Sequence, residues 1–403
     1  MSRLPEEIIE NILSWLPVKS IARFRCVSKY WCNHLFQNPK FVNLHLEHAL
    51  QLNNYNLLVS DEVPKETYLY SIDHTVLSSQ STPFLGQAVG IDFPFMSQKS
   101  VPQILGSCNG LICIAPYSFG NLCIWNPCTK EYKEVPEIPI EFPSVAAEQQ
   151  DYLTMYRFGY DCRIEDYKVL RIVGFDAGVV SEARLYTLGL NTWRSLGFIP
   201  FNFSFGKNAG YLLNGVLYWI VSVCRTGNES SGVIVSFDIC NETFHDMPLP
   251  NNYSNKDRSV SELGMWEGKL CILRMNHKEH PKICKHHDDH VDVWTMNGNT
   301  WSKFLNITAQ LTDLSYRRPL QTLPNGDILL EGRPEEGEGI CLVSYNPKLE
   351  RARTLKIHGF PEDFELVTYI ETLVSVNSGI YVEQQQQRGR IRRGNRRRPV
   401  FWH

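Results

Sequence analysis

Residues 183–200 read ARLYTLGLNTWRSLGFIP: an apolar run ending on Tyr186, a polar turn, and a second run opening on Trp193. The outline recurs at 122–139 (LCIWNPCTKEYKEVPEIP), 233–250 (VIVSFDICNETFHDMPLP), 291–308 (VDVWTMNGNTWSKFLNIT) and 341–358 (CLVSYNPKLERARTLKIH). The first run of each copy closes on an aromatic residue (Trp125, Tyr186, Phe237, Trp294, Tyr345), and successive aromatics stand 51 to 61 residues apart. A weaker copy, TYLYSID at 67–73, places Tyr70 one further interval upstream. Short runs of β-branched and aromatic residues between Gly, Asn and Pro turns predict strands throughout. A period near 50 residues is that of a propeller blade.

Most copies are preceded by a second element: GSCNGLICIA, GYLLNGVLYWI, LGMWEGKLCIL and QTLPNGDILLEG. Asn-Gly or Glu-Gly there suits the two positive-φ positions of a tight hairpin. In FGYDCRIEDYKVLRIV a longer turn fills the same slot. Each copy thus supplies about four strands, and six copies predict a six-bladed, propeller-like domain over 49–382. The last strand pattern, LVTYIETLVSV (366–376), has no hairpin of its own and is expected to complete the first blade. A pair of irregular β-sandwiches is the competing architecture.

The start of the chain has another texture. Ile8, Ile9, Ile12, Leu13 and Leu16 recur at spacings of three and four, which predicts a helix from Pro5 to Leu16, halted by Pro17. A second helix is expected over Lys19–Cys26 and a third over Ser28–Phe36, broken by Asn38-Pro39, with a further segment beginning at Phe41. A unit of about 45 residues is near the lower limit for independent folding. Its apolar surplus predicts either a partner site or a cap on the following domain. A helix-turn-helix DNA reader is disfavoured, because SKYWCNHLF is aromatic rather than basic.

Composition narrows the function. Net charge is −3, yet seven arginines fall in the last 16 residues, so residues 1–387 carry −10 and point away from nucleic acid. Glu6, Glu7 and Glu10 interrupt any signal-peptide core, and no run is apolar enough to span a membrane. A cytoplasmic or nuclear protein with reduced thiols is expected. The one cluster with ligand potential is MNHKEHPKICKHHDDHVDVW, offering His277, His280, Cys284, His286, His287 and His290. Its spacing could suit zinc, but its Pro281 and charges read better as a solvated loop. Cys108, Cys113, Cys123 and Cys128 read as packed thiols. No phosphate loop, nucleophile elbow or metalloprotease motif occurs, and no catalytic residue or cofactor is expected. The basic tail, 383–403, reads as disordered.

The segment LPEEIIENILSWLPVKSIARFRCVSKYWCNHLFQNPKFVNLHL resembles an F-box, the motif that docks substrate receptors onto the Skp adaptor of SCF-type ubiquitin ligases. The Leu-Pro start, Ile-Leu-x-x-Leu-Pro, Arg-Phe-Arg-Cys-Val-x-Lys-x-Trp and a late Pro-x-Phe carry the likeness across residues 1–48. It implies adaptor contacts through Leu4, Pro5, Ile8, Ile12, Leu13, Leu16, Pro17, Ile21, Val27 and Trp31. Trp15, where the family commonly has a basic residue, is a departure. From about residue 100 to 380, GSCNGLICI…WNP, FGYD…DYKVLRI and GVLYWI…FD are similar to the plant F-box-associated domain, a kelch-like propeller found in self-incompatibility and defence-regulating receptors. Together the resemblances imply a non-catalytic receptor. It would bind the adaptor, and through it cullin and RING subunits, while the propeller holds an unknown target protein. A non-ligase propeller scaffold capped by its helices is the alternative, and a kelch-type copper oxidase is the enzyme such a fold would also permit.

Overall fold

The computed structural model of the protein describes residues 5–32, 36–61, 69–78, 87–95, 102–116, 121–142, 152–175, 180–203, 210–224, 230–250, 261–266, 268–276, 290–298, 300–308, 314–334, 339–361, 364–377 and 380–381. Among these, the region after the helices folds into six antiparallel sheets arranged as blades. Blade one holds β1 (Asn56–Asp61), β2 (Leu69–Ile72) and β3 (Val89–Ile91). Blade two holds β4 (Pro102–Cys108), β5 (Leu111–Pro116), β6 (Cys123–Trp125) and β7 (Glu131–Glu134). Blade three holds β8 (Tyr152–Asp161), β9 (Asp166–Phe175), β10 (Ser181–Thr187) and β11 (Thr192–Ile199). Blade four holds β12 (Tyr211–Leu213), β13 (Val216–Cys224), β14 (Ser230–Asp238) and β15 (Thr243–Pro248). Blade five holds β16 (Ser261–Trp266), β17 (Lys269–Asn276), β18 (His290–Asn297) and β19 (Thr300–Thr308). Blade six holds β20 (Leu314–Thr322), β21 (Ile328–Pro334), β22 (Cys341–Asn346) and β23 (Arg351–Thr354).

The ring closes as the LVTYIETLVSV run predicts. β24 (Phe364–Tyr369) pairs antiparallel with β1, Asn56 opposite Tyr369 and Asp61 opposite Phe364, and becomes the inner strand of blade one. A short β25 (Ile380–Tyr381) then adds to the outer edge of blade two beside β7. The inner strands β24, β4, β8, β12, β16 and β20 surround the axis, and β4 lies against both β24 and β8.

Five of the six repeated aromatics occupy one structural position. Trp294, expected to close its run, lies two residues before it, opposite Lys303, because β18 continues to Asn297 and Met296 faces Trp301. Trp125, Tyr186, Phe237 and Tyr345 are buried on the third strand of their blades, and Tyr70 takes the same place on β2 once β24 is counted first. The residue opening the next strand often lies opposite: Trp193 faces Tyr186 with rings 5.4 Å apart, and Phe244 faces Phe237 at 4.6 Å. Such pairs stabilise a sheet beyond their buried area. Outer-strand tryptophans also tie blades together. Trp193 Nε1 donates to the Pro136 carbonyl after blade two, and Trp301 Nε1 to Pro248 at the end of blade four. The cores lie between blades: Leu170, Ile172 and Leu185 of blade three pack with Leu217, Trp219 and Phe237 of blade four.

Two of the predicted tight hairpins have the expected geometry, with positive φ at Asn109 and Gly110 and at Asn214 and Gly215. The third differs. Between β20 and β21 only Gly326 is left-handed, and the turn is widened from Leu323 to Asp327. The Asn325 side chain accepts from the Asp327 amide there, so asparagine serves as a side-chain brace and not as a positive-φ residue.

The N-terminal helices are α1 (Glu6–Ser14), α2 (Val18–Phe24) and α3 (Pro39–Leu52), and a short α4 (His74–Ser78) follows β2. Asn38-Pro39, expected to end a helix, starts one. Asn38 Oδ1 accepts from the Lys40 amide at 3.0 Å, and Pro39 fills the first position, where no N–H is needed. Lys29–Cys32 are helical, and the rest of the third helix expected over Ser28–Phe36 includes residues 33–35, outside the described set. Because α3 runs on to Leu52, it crosses the boundary expected at residue 48.

After β24 the chain continues as a strap, residues 370–377, beneath blade two. The Asn126 amide donates to the carbonyls of Thr372 (3.1 Å) and Val374 (2.7 Å). Thr372 Oγ1 donates to the Asn109 carbonyl, and Ser375 Oγ to Glu131. The strap lies so close to the Asn109-Gly110 hairpin that a Cβ on Gly110 would stand 2.2 Å from Thr372 Oγ1 and 2.8 Å from the Ile370 carbonyl. Gly110→Ala should therefore cost about 3 kcal/mol or more, adding steric conflict to a left-handed backbone. Gly326→Ala has the same handedness but open space around it, and should cost about 1–2 kcal/mol. Denaturant midpoints of the two variants distinguish these outcomes.

Candidate functional site

The helical unit has an inside and an outside. Leu13, Ile21, Phe36 and Phe41 form its buried centre, with Ile9, Leu16, Phe24 and Trp31 packed around them. On the other side of α1, Ile8 and Ile12 are one turn apart and 47% and 53% exposed, with Pro5 exposed in line with them. Val27 is 68% exposed and Pro17 is also open to solvent. The ten residues implied by the F-box resemblance thus divide. Pro5, Ile8, Ile12, Pro17 and Val27 present apolar surface; Leu16 and Trp31 are half-buried; Leu13 and Ile21 are internal. Leu4 lies outside the described residues. A helix apolar on both faces with only one face covered is the arrangement expected of half an interface.

α3 is what joins this unit to the propeller. Phe41, His45 and His48 on one side face α1, whereas Val42 and Leu46 pack against the blade-two and blade-three core that includes Leu105, Leu111, Phe158 and Val374. The strap supplies a second attachment: Leu373 packs into the helical core, and Glu371 pairs with Lys19 at 3.2 Å, raising the Lys19 ammonium's pKa. The helices are therefore seated on the propeller and not hung from a linker. Their outward ridge stays clear because α3 lies between α1 and the blades.

Between α1 and α3 sit two buried histidines. His48 accepts or donates a hydrogen bond at 2.9 Å with Ser14 Oγ, and its ring stacks on Trp15 at 3.7 Å. Trp15, the departure from the family pattern, is thus partly used as packing at the end of α1. His45 Nε2 lies 3.1 Å from the Leu16 carbonyl, which makes that nitrogen the N–H donor. Its Nδ1 is buried with no hydrogen-bond partner, and burial pushes the His45 pKa down.

The two ends of the propeller differ. At the end carrying the helices most blades turn in two to five residues, while the opposite end has connections as long as 135–151, between β7 and β8. The histidine- and cysteine-rich segment falls in sequence between β17 and β18. His277, His280, Cys284, His286 and His287 lie outside the described residues, and His290 opens β18. Cys113 and Cys123 are buried within blade two, where desolvation pushes the Cys123 thiol up to about 12. Thiols so held are packing groups and poor nucleophiles.

Sequence patterning missed the buried charges of blade three. Lys168 donates to Asp161 at 2.5 Å and Glu242 at 2.6 Å, while Arg171 and Arg184 share Glu182 at 2.8 and 2.6 Å. The only signal was two charged residues, Lys168 and Arg171, inside the otherwise apolar strand DYKVLRIV.

Comparison with known proteins gives two family matches: an F-box domain over residues 1–42 and an F-box associated beta propeller domain over 59–378. The F-box protein CPR1 of Arabidopsis thaliana is 25% identical, the alignment covering 100% of this chain and 98% of CPR1. The F-box/kelch-repeat protein At3g23880 of the same plant is 28% identical, covering 93% of this chain and 96% of that protein. Among solved structures, TolB from Acinetobacter baumannii aligns with a TM-score of 0.45 at 11% identity, over 82% of this chain and 73% of TolB.

His45 makes the helical unit acid-sensitive. The folded pKa of His45 lies below its unfolded value, so its contribution is complete above roughly pH 6.5 and is lost as pH falls from there toward the folded value. Amide hydrogen exchange of α1 and α3 should accelerate over that window while β9 and β13 stay protected. His45→Gln, which keeps a donor for the Leu16 carbonyl and cannot titrate, should flatten the dependence.

Proposed function

The chain belongs to the F-box proteins with an F-box associated beta propeller domain, and from that premise we propose that it is the substrate-recognition subunit of an SCF-type ubiquitin ligase. The Skp adaptor covers the outward ridge of the helical unit, and cullin and RING subunits join through the adaptor. A target protein is held by the propeller, at the end with the long connections. The receptor's role is proximity: holding a target lysine near the ubiquitin-charged enzyme raises its effective concentration. The work is placed in the cytoplasm or nucleus, in keeping with ten described cysteines that are all free thiols.

The observation that carries this reading is the ridge of Pro5, Ile8 and Ile12. If the helices served only to cap the propeller, their apolar residues would be spent on α3 and the blades. Instead Ile8 and Ile12 remain about half exposed on the far side. Leu13 and Ile21 act in this scheme by holding α1 and α2 in place, and their substitution lowers binding only through unfolding. The seating of α3 and Leu373 on blade two then sets the direction in which the target-binding end faces.

Replacing Ile8 and Ile12 together by aspartate should reduce adaptor affinity at least about 100-fold, leaving circular dichroism and thermal midpoint unchanged. Leu349→Asp, on an exposed apolar position of blade six, should have no effect. Undiminished adaptor binding by the double variant would sink the proposal, whereas lost binding with lost helicity in Leu13→Ala would only confirm the core.

A further inference from the structure

Blades three and four meet at the short-turn end through two cysteines that neither the family likeness nor the proposed function uses. Cys162 follows β8 in the turn to β9, and Cys240 lies in the turn between β14 and β15. They are 78 residues apart in sequence, yet their Sγ atoms are 3.4 Å apart. Cys162 is exposed and Cys240 half-buried, so small reagents can reach the pair.

The surroundings hold this geometry in place. Lys168 reaches across the interface to bind Asp161 of its own blade, and Glu242 and the Ile239 carbonyl of the next. Arg194 pairs with Glu242 from β11. A Cβ on Gly159 would stand 2.2 Å from Ile239 Cδ1, so the Ile239 side chain of blade four packs flush on β8 just before the turn. The Arg163 backbone N–H donates to Asp161 Oδ1 at 2.9 Å, fixing the turn that carries Cys162. Cys240 hydrogen-bonds the Asp161 carboxylate, and burial first, then Cys162, raises the pKa of its thiol.

We propose that Cys162 and Cys240 form a reversible inter-blade disulfide by exchange with a low-molecular-weight disulfide such as oxidised glutathione. A disulfide needs its sulfurs at about 2.05 Å, and side-chain rotation within the turns closes the remaining gap. The exposed Cys162, as thiolate, attacks the reagent disulfide, forming a mixed disulfide and releasing one thiolate. Cys240, its proton given up to solvent, then attacks Cys162 Sγ as thiolate, and the second reagent thiolate leaves and is protonated from solvent. Two protein thiols give up two electrons and two protons, and one reagent disulfide becomes two thiols. The link ties blade three to blade four across the ion-paired seam and can be undone by the reduced reagent. The more deeply packed Cys113, Cys123 and Cys271 are shielded from it.

The test uses the full chain, oxidised glutathione and intact-mass measurement with peptide mapping. In wild type, peptide mapping should show both Cys162 and Cys240 lost as thiols, no glutathione on either, and a cross-linked peptide joining them, whatever adduct the exposed Cys26 takes up. Cys240→Ser should trap one glutathione on Cys162, and Cys162→Ser should leave Cys240 unmodified. Oxidation should raise the thermal midpoint of wild type and of neither variant. The inference is overturned if wild type stays unreacted, if it carries the same lasting glutathione adduct as Cys240→Ser, or if the lost thiols map to another pair. Dichroism identical to wild type in both serine variants shows that these readouts report thiol chemistry and not unfolding.

Discussion

The pairing of β24 with β1 is the constraint on which the rest of the structure depends. Six residues from near the end of the chain complete a sheet begun by six residues just after the helices, from Asn56 opposite Tyr369 to Asp61 opposite Phe364. Without it blade one would lack its inner strand, and the backbone edge of β1 would be left unpaired. The pairing closes a loop of some three hundred residues, an entropic cost that grows only slowly with length. It is offset by inter-blade cores that a closed ring alone can complete on both faces.

Closure has a second effect. It delivers residues 370–377 to the end of the propeller where the helical unit sits. There Asn126 and Thr372, both fully buried, satisfy one another's neighbourhood: the Asn126 amide holds two strap carbonyls, and Thr372 holds the Asn109 carbonyl. With its polar groups met by blade two, the strap can present Leu373 to the helical core and Glu371 to Lys19. One chain segment thereby joins ring closure, blade two and the helices. In a receptor that works by holding one protein at a set distance from another, such a joint matters as much as either binding surface.

Much of this was legible in the sequence. The third-strand aromatics marked the blades, because burial at one repeated position favours one repeated residue type at Trp125, Tyr186, Phe237 and Tyr345. Trp294, two residues out of that register, still marked blade five. LVTYIETLVSV was readable as the closing strand because no hairpin partner followed it. Other features were not. Ile8, Ile9, Ile12 and Leu13 are equally apolar, and spacing says they line two faces without saying which is covered; packing on α3 decides that. Asn38-Pro39 suits a helix stop and a helix start alike, and only the Asn38–Lys40 capping bond separates them. The apolar surplus of the helices fits a partner site and a cap alike, and spacing could not show that one face serves as attachment through Val42, Leu46 and Leu373, whose role depends on contacts far apart in the chain. Lys168 and the Cys162–Cys240 pair were hidden for the same reason.

The central claim is that the strap, set in place by the β24–β1 pairing, holds the helical unit against the propeller. Native-state hydrogen exchange on a Leu373→Ala, Glu371→Ala double variant tests it most directly. Protection should fall in α1 and α2 while β1, β24 and the strands of blade two keep theirs, since the ladder and the Asn126 bonds to backbone carbonyls are untouched. Exchange in α1 and α2 identical to that of the unaltered chain would contradict it, as would a uniform loss of protection reaching every blade.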